Sequence, residues 1–248
     1  MAKQSGLGDN LYIDGNNVSG DVGSLDTIAT PINLLDVTGI DKSAHERITA
    51  IRTGEIKFTA FFNAATGKIH SVLKTLPRTD RIVTYCRGTT IGNPAASLLA
   101  KQIGYDGKRA ADGSYLFAVD ALSNGYGLEW GNQLTAGLRT DTAATNGTSY
   151  DFGASTSFGF QAYLHVNAFS GTDVTVKLQD SADNSSFADV ASGAFTQITT
   201  TTAQAQRLAV GGTATVRRYV RVVTTTSAGF TSATFAVMLV KNGAAVTF

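Results

Sequence analysis

From Phe158 onward the sequence is written in period two. Phe158, Phe160, Ala162, Leu164, Val166 and Ala168 alternate with Gly159, Gln161, Tyr163, His165 and Asn167. Val174, Val176 and Leu178 alternate with Thr175, Lys177 and Gln179; Phe235, Val237 and Leu239 alternate with Thr234, Ala236 and Met238. Successive side chains of a strand point to opposite faces, so this pattern predicts sheets with one buried face and one wetter face. Strands are expected at 157–169, 173–179, 187–190, 194–199, 206–210, 216–225 and 231–241. Gly/Ser/Thr turns between them point to a two-sheet β-sandwich of immunoglobulin-like or jelly-roll type.

The first half reads as strands around one helix. Leu11 to Ile13 open it, turned by Asp14-Gly15-Asn16-Asn17. Residues 23–53 are a long stretch of mixed pattern with no clear long element, and a connection of that length is usually functional or poorly ordered. Ile56, Phe58, Ala60 and Phe62 then alternate with Glu55, Lys57, Thr59 and Phe61, a strand. Asn63 is a good N-cap for a helix whose apolar face is Ala65, Ile69, Val72, Leu73 and Leu76, ended by Pro77. Three more strands follow at 81–87, 95–105 and 115–122, with Asp106-Gly107 and Asp112-Gly113 marking the hairpin connection. Residues 135–150 are small and polar and predict a linker.

Charge and cysteine content narrow the function. Residues 1–145 carry fourteen basic and fourteen acidic side chains, and 146–248 six and five, so neither half has the excess of a tight nucleic-acid or anionic-membrane binder. The single Cys86 rules out an intrachain disulfide framework. The opening MAKQSGLGDN lacks an apolar leader segment and no apolar run reaches membrane-spanning length, which predicts synthesis in a cytoplasm.

Little in the chain suits catalysis. His45-Glu46 starts like H-E-x-x-H, but Thr49 stands where the second histidine belongs. His70 and His165 read as structural or surface histidines, and Cys86 as a small buried hydrophobe. Asp180, Asp183 and Asn184 lack calcium-loop spacing and read as an Asx-stabilised turn. Gly125, Gly127 and Gly131 fit neither dinucleotide nor P-loop spacing; a bulged or tightly packed strand is expected there. Arg217, Tyr219 and Arg221 share one strand face, which reads as solvated. No catalytic, cofactor or metal residues are therefore assigned.

The order GLGDNLYIDGNNVSGDV, then the long 23–53 segment, then GEIKFTAFFNAATGKIHSVLKTLP, RIVTYCRGTTIGNPAASLLAKQIGYD and SYLFAVDALSNGYGLEWG, resembles the major tail (tail tube) protein of long-tailed bacteriophages. The resemblance covers about the first 130 residues and lies in the whole pattern. It implies a mainly β chain: a tail-tube-like β-sandwich or barrel with one flanking α-helix at 1–134, a linker at 135–150, and a C-terminal sandwich at 151–248 displayed outside the tube. It also implies six-membered rings, closed by joining strands edge to edge and stacked into a conduit for DNA. By position, 23–53 matches the family loop that reaches a neighbouring ring or subunit, through Asp36, Asp41, Lys42, Glu46, Arg47 and Arg52. The ring-forming strands would be 55–62 and 81–87, with Glu55, Lys57, Thr59, Arg81, Val83 and Tyr85.

The implied partners are further copies of the chain, a tape measure protein, a tail terminator and transiently passing DNA, with no membrane binding and no cofactor. The implied place is the virion tail, assembled in a bacterial cytoplasm. A balanced charge suits a passive conduit, since strong phosphate contacts would stall passage. Two rivals stand beside this reading. One is a capsid decoration protein. The other is a carbohydrate-binding or adhesion module using Tyr163, Phe169 or Tyr219 as sugar-stacking aromatics.

Overall fold

The computed structural model describes residues 5–212 and 214–246. Met1–Gln4, part of the opening stretch read as leaderless, lie outside the described residues. The chain is mainly β, with antiparallel sheets and one short helix.

In the first half the strands are β1 (Asn10–Ile13), β2 (Asn16–Asn17), β3 (Val22–Ala29), β4 (Ile32–Asp36), β5 (Arg47–Arg52), β6 (Glu55–Phe61), β7 (Arg81–Cys86), β8 (Pro94–Arg109), β9 (Tyr115–Ser123) and β10 (Glu129–Gln133). The sixteen-residue β8 organises them. Its first part pairs with β7 and β10, and its second part with β9, which continues through β6 to β3. One strand thus runs through two sheets that face each other over Leu11, Ile13, Ile56, Phe58, Val83, Leu98 and Val119. Opposite β8 the sandwich opens between β1 and β3, at a cavity of about 270 Å³ lined by Asp9, Asn10, Leu11, Ser19, Leu25 and Tyr85 among others.

The helix is shorter than its apolar periodicity predicts. α1 spans Ile69–Leu73 alone and buries Ile69 and Leu73. Gly67 sits at φ +73° and breaks the run, so the Asn63 side chain accepts the Ala65 N–H in a preceding turn and does not cap the helix. The buried Asp21 carboxylate accepts the Ile69 N–H instead, at 3.1 Å. Leu76 lies beyond the helix, half exposed. The β8–β9 turn falls at Ala110–Ser114, so Asp106-Gly107 lies inside β8 and not in the connection.

The second half adds β11 (Arg139–Asp141), β12 (Tyr150–Asp151), β13 (Phe160–Gly171), β14 (Thr175–Ser181), β15 (Ala188–Ala194), β16 (Gln204–Val210), β17 (Tyr219–Thr225) and β18 (Phe230–Lys241). One sheet runs β16-β13-β18 with β11 on β18; the other runs β12-β17-β14-β15. Between them lie Phe160, Leu164, Val176, Leu178, Val222, Phe235 and Val237. The expected strand at 194–199 is reduced to a single bridge, Ile198 to Val174.

Two features differ from the sequence reading. Residues 135–150 are not a free linker: β11 lies within them, paired with β18, and Thr135 and Asp141 are buried. Arg139 holds the Asp141 carboxylate at 2.6 Å, which explains how so polar a stretch is ordered. The wetter face expected of β13 and β18 is also buried, because β10 joins β18 to β8 and draws both halves into one continuous sheet. Tyr163, Ala236 and Met238 pack there against Tyr12, Ile82 and Cys86.

The joint between the halves is polar and satisfied. Gly15 N–H donates to His165 Nδ1 at 3.1 Å, and His165 Nε2 meets Thr84 Oγ1 at 2.7 Å. Thr84 reaches Ser97 at 2.6 Å, and the Ser97 hydroxyl ends on the Met238 sulfur. At the other end Tyr163 donates to Glu129, which also receives Arg207 at 3.0 Å.

Gly15 is fixed by this approach. It lies at φ +83°, and a Cβ there would stand 2.3 Å from the Val166 carbonyl oxygen. Gly15→Ala is expected to lower unfolding free energy by about 2–3 kcal/mol, from left-handed strain plus the clash. Urea denaturation showing less than about 1 kcal/mol would contradict that account.

Candidate functional site

Pockets and titratable clusters do not mark this site; uncovered apolar surface and unpaired strand edges do. The 23–53 segment is not irregular. β3 occupies its start, and β4 and β5 then form a two-stranded ribbon of their own, in register from Ile32↔Arg52 to Asp36↔Arg47. Two apolar runs, Ile32–Val37 and Ile48–Ile51, flank the polar tip 38–47. On the ribbon Ile32, Leu34, Leu35, Val37, Ile40, Ile48 and Ile51 are all exposed, Ile51 at 80% and Ile40 fully. Leu35 and Ile48 lie opposite each other on one face, while Leu34 faces Thr49 on the other.

The predicted contact residues sit on this ribbon, with their charges largely paired internally. Asp36 accepts the Thr38 hydroxyl and amide and faces His45 Nδ1 at 2.8 Å, which holds its carboxyl below the usual range. Lys42 and Glu46 lie 3.5 Å apart. Asp41 is exposed at the tip, and Arg47 and Arg52 are exposed on β5.

The expected ring-forming strands are interior. β6, with Glu55, Lys57 and Thr59, already pairs with β3 and β9. β7, with Arg81, Val83 and Tyr85, already pairs with β1 and β8. Arg81 bonds Asp14 at 2.5 Å, Val83 is in the core, and Tyr85 donates to Asp9 at 2.5 Å. A strand with both edges filled cannot add a neighbour. Among the described residues the unpaired edges of the β3-β6-β9-β8 sheet are the outer edge of β3 and the β8 edge beyond Lys101. Sequence alone did not locate them, because edge status depends on which strands become neighbours.

The outer face of this four-stranded sheet is mixed in sign. Glu55, Lys57 and Thr59 alternate with the buried Ile56, Phe58 and Ala60. Beside them lie Asp120, opposite Lys57 on β9, and Lys108, opposite Leu116. Lys57 pairs with Glu55 at 3.1 Å. At the far end of β6, aromatic rings gather: Phe62 lies 4.6 Å from His70 and 5.3 Å from Tyr115, and Tyr105 stacks on Phe117 at 4.3 Å. Phe61, Phe62 and Tyr115 are about half exposed.

Residues weighed for other chemistry are structural. His165 is buried, and burial lowers its pKa to about 3; burial raises the Cys86 thiol to about 12. Tyr163 and Phe169 are buried and cannot stack on a sugar, and Arg218 covers Tyr219 at 5.0 Å. Asp183 accepts the Ser185 and Ser186 amides as an Asx turn, with Asn184 at φ +60°. Gly131 is the tightly packed strand glycine, its missing Cβ 2.2 Å from the Leu239 oxygen. Arg218 holds Asp151 and Arg221 holds Gln179, so the basic cluster is engaged internally. Among the described residues no cluster of His, Cys, Asp and Glu is placed to hold a metal, and no helix is long and apolar enough to cross a membrane.

No protein-family model matches the chain, and no curated protein does. Solved structures do. A chain of the native gene transfer agent virion aligns with 52% of this chain and 98% of its own length, at 12% identity and TM-score 0.43. A chain from the tail of an empty gene transfer agent particle, with C6 symmetry, aligns with 51% of this chain and 97% of its own at 14% identity and TM-score 0.40. The SPP1 Dit protein, described as a hub of the adsorption apparatus in phages of Gram-positive hosts, aligns with 94% of this chain and 99% of its own at 12% identity and TM-score 0.31. These are tail, virion and hub proteins, and likenesses this remote leave the functional argument to the chain's own geometry.

Proposed function

We propose that the chain is a structural subunit of a phage-type tail, assembling with copies of itself into stacked rings around a DNA conduit. The observation that carries this reading is the β4–β5 ribbon. An isolated two-stranded ribbon is marginal in water, and this one exposes seven large apolar side chains, so a partner surface must complete it.

Ring closure follows from the two free edges. In a ring, the β3 edge of one copy pairs with the β8 edge of the next, a head-to-tail contact that closes when the rotation per copy divides a full turn. Closure removes the exposed backbone rows that otherwise invite aggregation. The mixed outer face of β3-β6-β9-β8 would line the lumen and give DNA no dense basic stripe to bind. Six copies per ring, the tape measure and terminator partners, the outward position of the second sandwich and location in the virion tail belong to this same reading.

Negative-stain electron microscopy of the concentrated protein, with sedimentation velocity, tests it. Rings or hollow tubes are expected. A discrete trimer that binds preformed capsids would instead establish the decoration role.

A further inference from the structure

Resting on the assembly reading, we infer that the β4–β5 ribbon of one copy seats on the aromatic end of the four-stranded sheet in the next copy along the axis, at Phe61, Phe62 and Tyr115. Both surfaces are exposed in the same chain, so neither covers the other. They lie at opposite ends of one strand. The ribbon leaves next to Glu55, where β6 begins, and the aromatic group sits at Phe61, where β6 ends. Seven residues at about 3.3 Å each separate them by roughly 20 Å.

Matching apolar surfaces at opposite ends of a rigid strand make a heterologous contact. Translation along the strand direction satisfies every copy and repeats without limit, which generates a stack and not a capped dimer. The chemistry is complementary as well. The ribbon offers aliphatic Leu34, Leu35, Val37, Ile48 and Ile51 together with Arg47 and Arg52, and aromatic faces accept both apolar contact and guanidinium stacking. The receiving rings are held in place by their own backbone and ring contacts: Phe62 N–H donates to the Tyr115 carbonyl at 3.1 Å, and Tyr115 meets Phe117 edge-on at 4.8 Å.

Cysteine cross-linking in the full chain tests the contact cleanly, since native Cys86 is buried with its thiol raised to about 12. Leu35→Cys and Ile51→Cys, one on each ribbon face, are each mixed with Tyr115→Cys under assembly conditions and treated with a short bismaleimide. Ribbon-to-Tyr115 dimers are expected from the mixtures, with none from any variant alone. In parallel, Phe61→Ser combined with Tyr115→Ser should leave folded, unstacked rings. Tubes that form without ribbon-to-Tyr115 product, or ribbon variants that cross-link to themselves, overturn the seat while leaving assembly intact. Unmodified protein that forms neither rings nor tubes overturns the assembly reading and this contact with it.

Discussion

Deleting residues 30–50 leaves a folded protein that no longer stacks. The segment makes one sheet with itself, and its side chains are exposed almost throughout, so its removal takes nothing from the cores around Phe58 or Phe235. Unfolding free energy should therefore move by less than about 1 kcal/mol, the range of surface changes. Assembly should respond far more strongly. Each large aliphatic side chain of the ribbon is worth about 1.5–3 kcal/mol when fully covered, against an association cost of roughly 4–15 kcal/mol. Losing several such contacts per copy puts stacking out of reach. Microscopy should show isolated rings or smaller species, with an unchanged thermal melt. Tubes of normal length from the deleted protein would show that the ribbon is dispensable, and a molten deletion product would show that it is part of the fold.

Much of this architecture was legible in the sequence, for a physical reason. Period two over Ile56–Ala60, Val174–Leu178 and Phe235–Leu239 reports a face that must be buried, and those residues are buried. What period two cannot report is a second burial. Tyr163 and His165 read as a wetter face because polar and aromatic residues alternate with Leu164, yet the fused sheet covers them. The ribbon was half visible: residues 23–53 stood out as too long for a plain loop, while its two strands did not. A bulge between Ile32 and Leu34 interrupts the alternation there, and apolar runs exposed on both faces carry no in–out signal. Its charged residues were chosen as contacts for their reach, whereas Asp36, Lys42 and Glu46 are engaged within the ribbon and the unsatisfied chemistry is aliphatic.

The buried histidine gives the second large effect, a pH dependence of stability. His165 is enclosed, with Nδ1 accepting the Gly15 N–H and Nε2 donating to Thr84. A second ring proton would point at that N–H donor with no acceptor in reach, and burial alone already lowers the pKa from 6.5 to about 3. Between those values the unfolded chain binds a proton that the folded chain refuses. The stabilisation is therefore complete above about pH 6.5 and is lost as pH falls toward 3, at about 1.4 kcal/mol per unit. Urea denaturation from pH 7.5 to 4.5 should show this slope, and His165→Gln, which keeps one acceptor and one donor, should flatten it. Because His165 lies on β13 while Gly15 and Thr84 lie at β1 and β7, the loss falls on the joint between the two halves. Acid should accordingly part the second sandwich from the first before either core melts, read as early loss of protection at the 160–168 amides in hydrogen exchange. Equal slopes for the native chain and His165→Gln would place the acid sensitivity elsewhere and remove the histidine from the account.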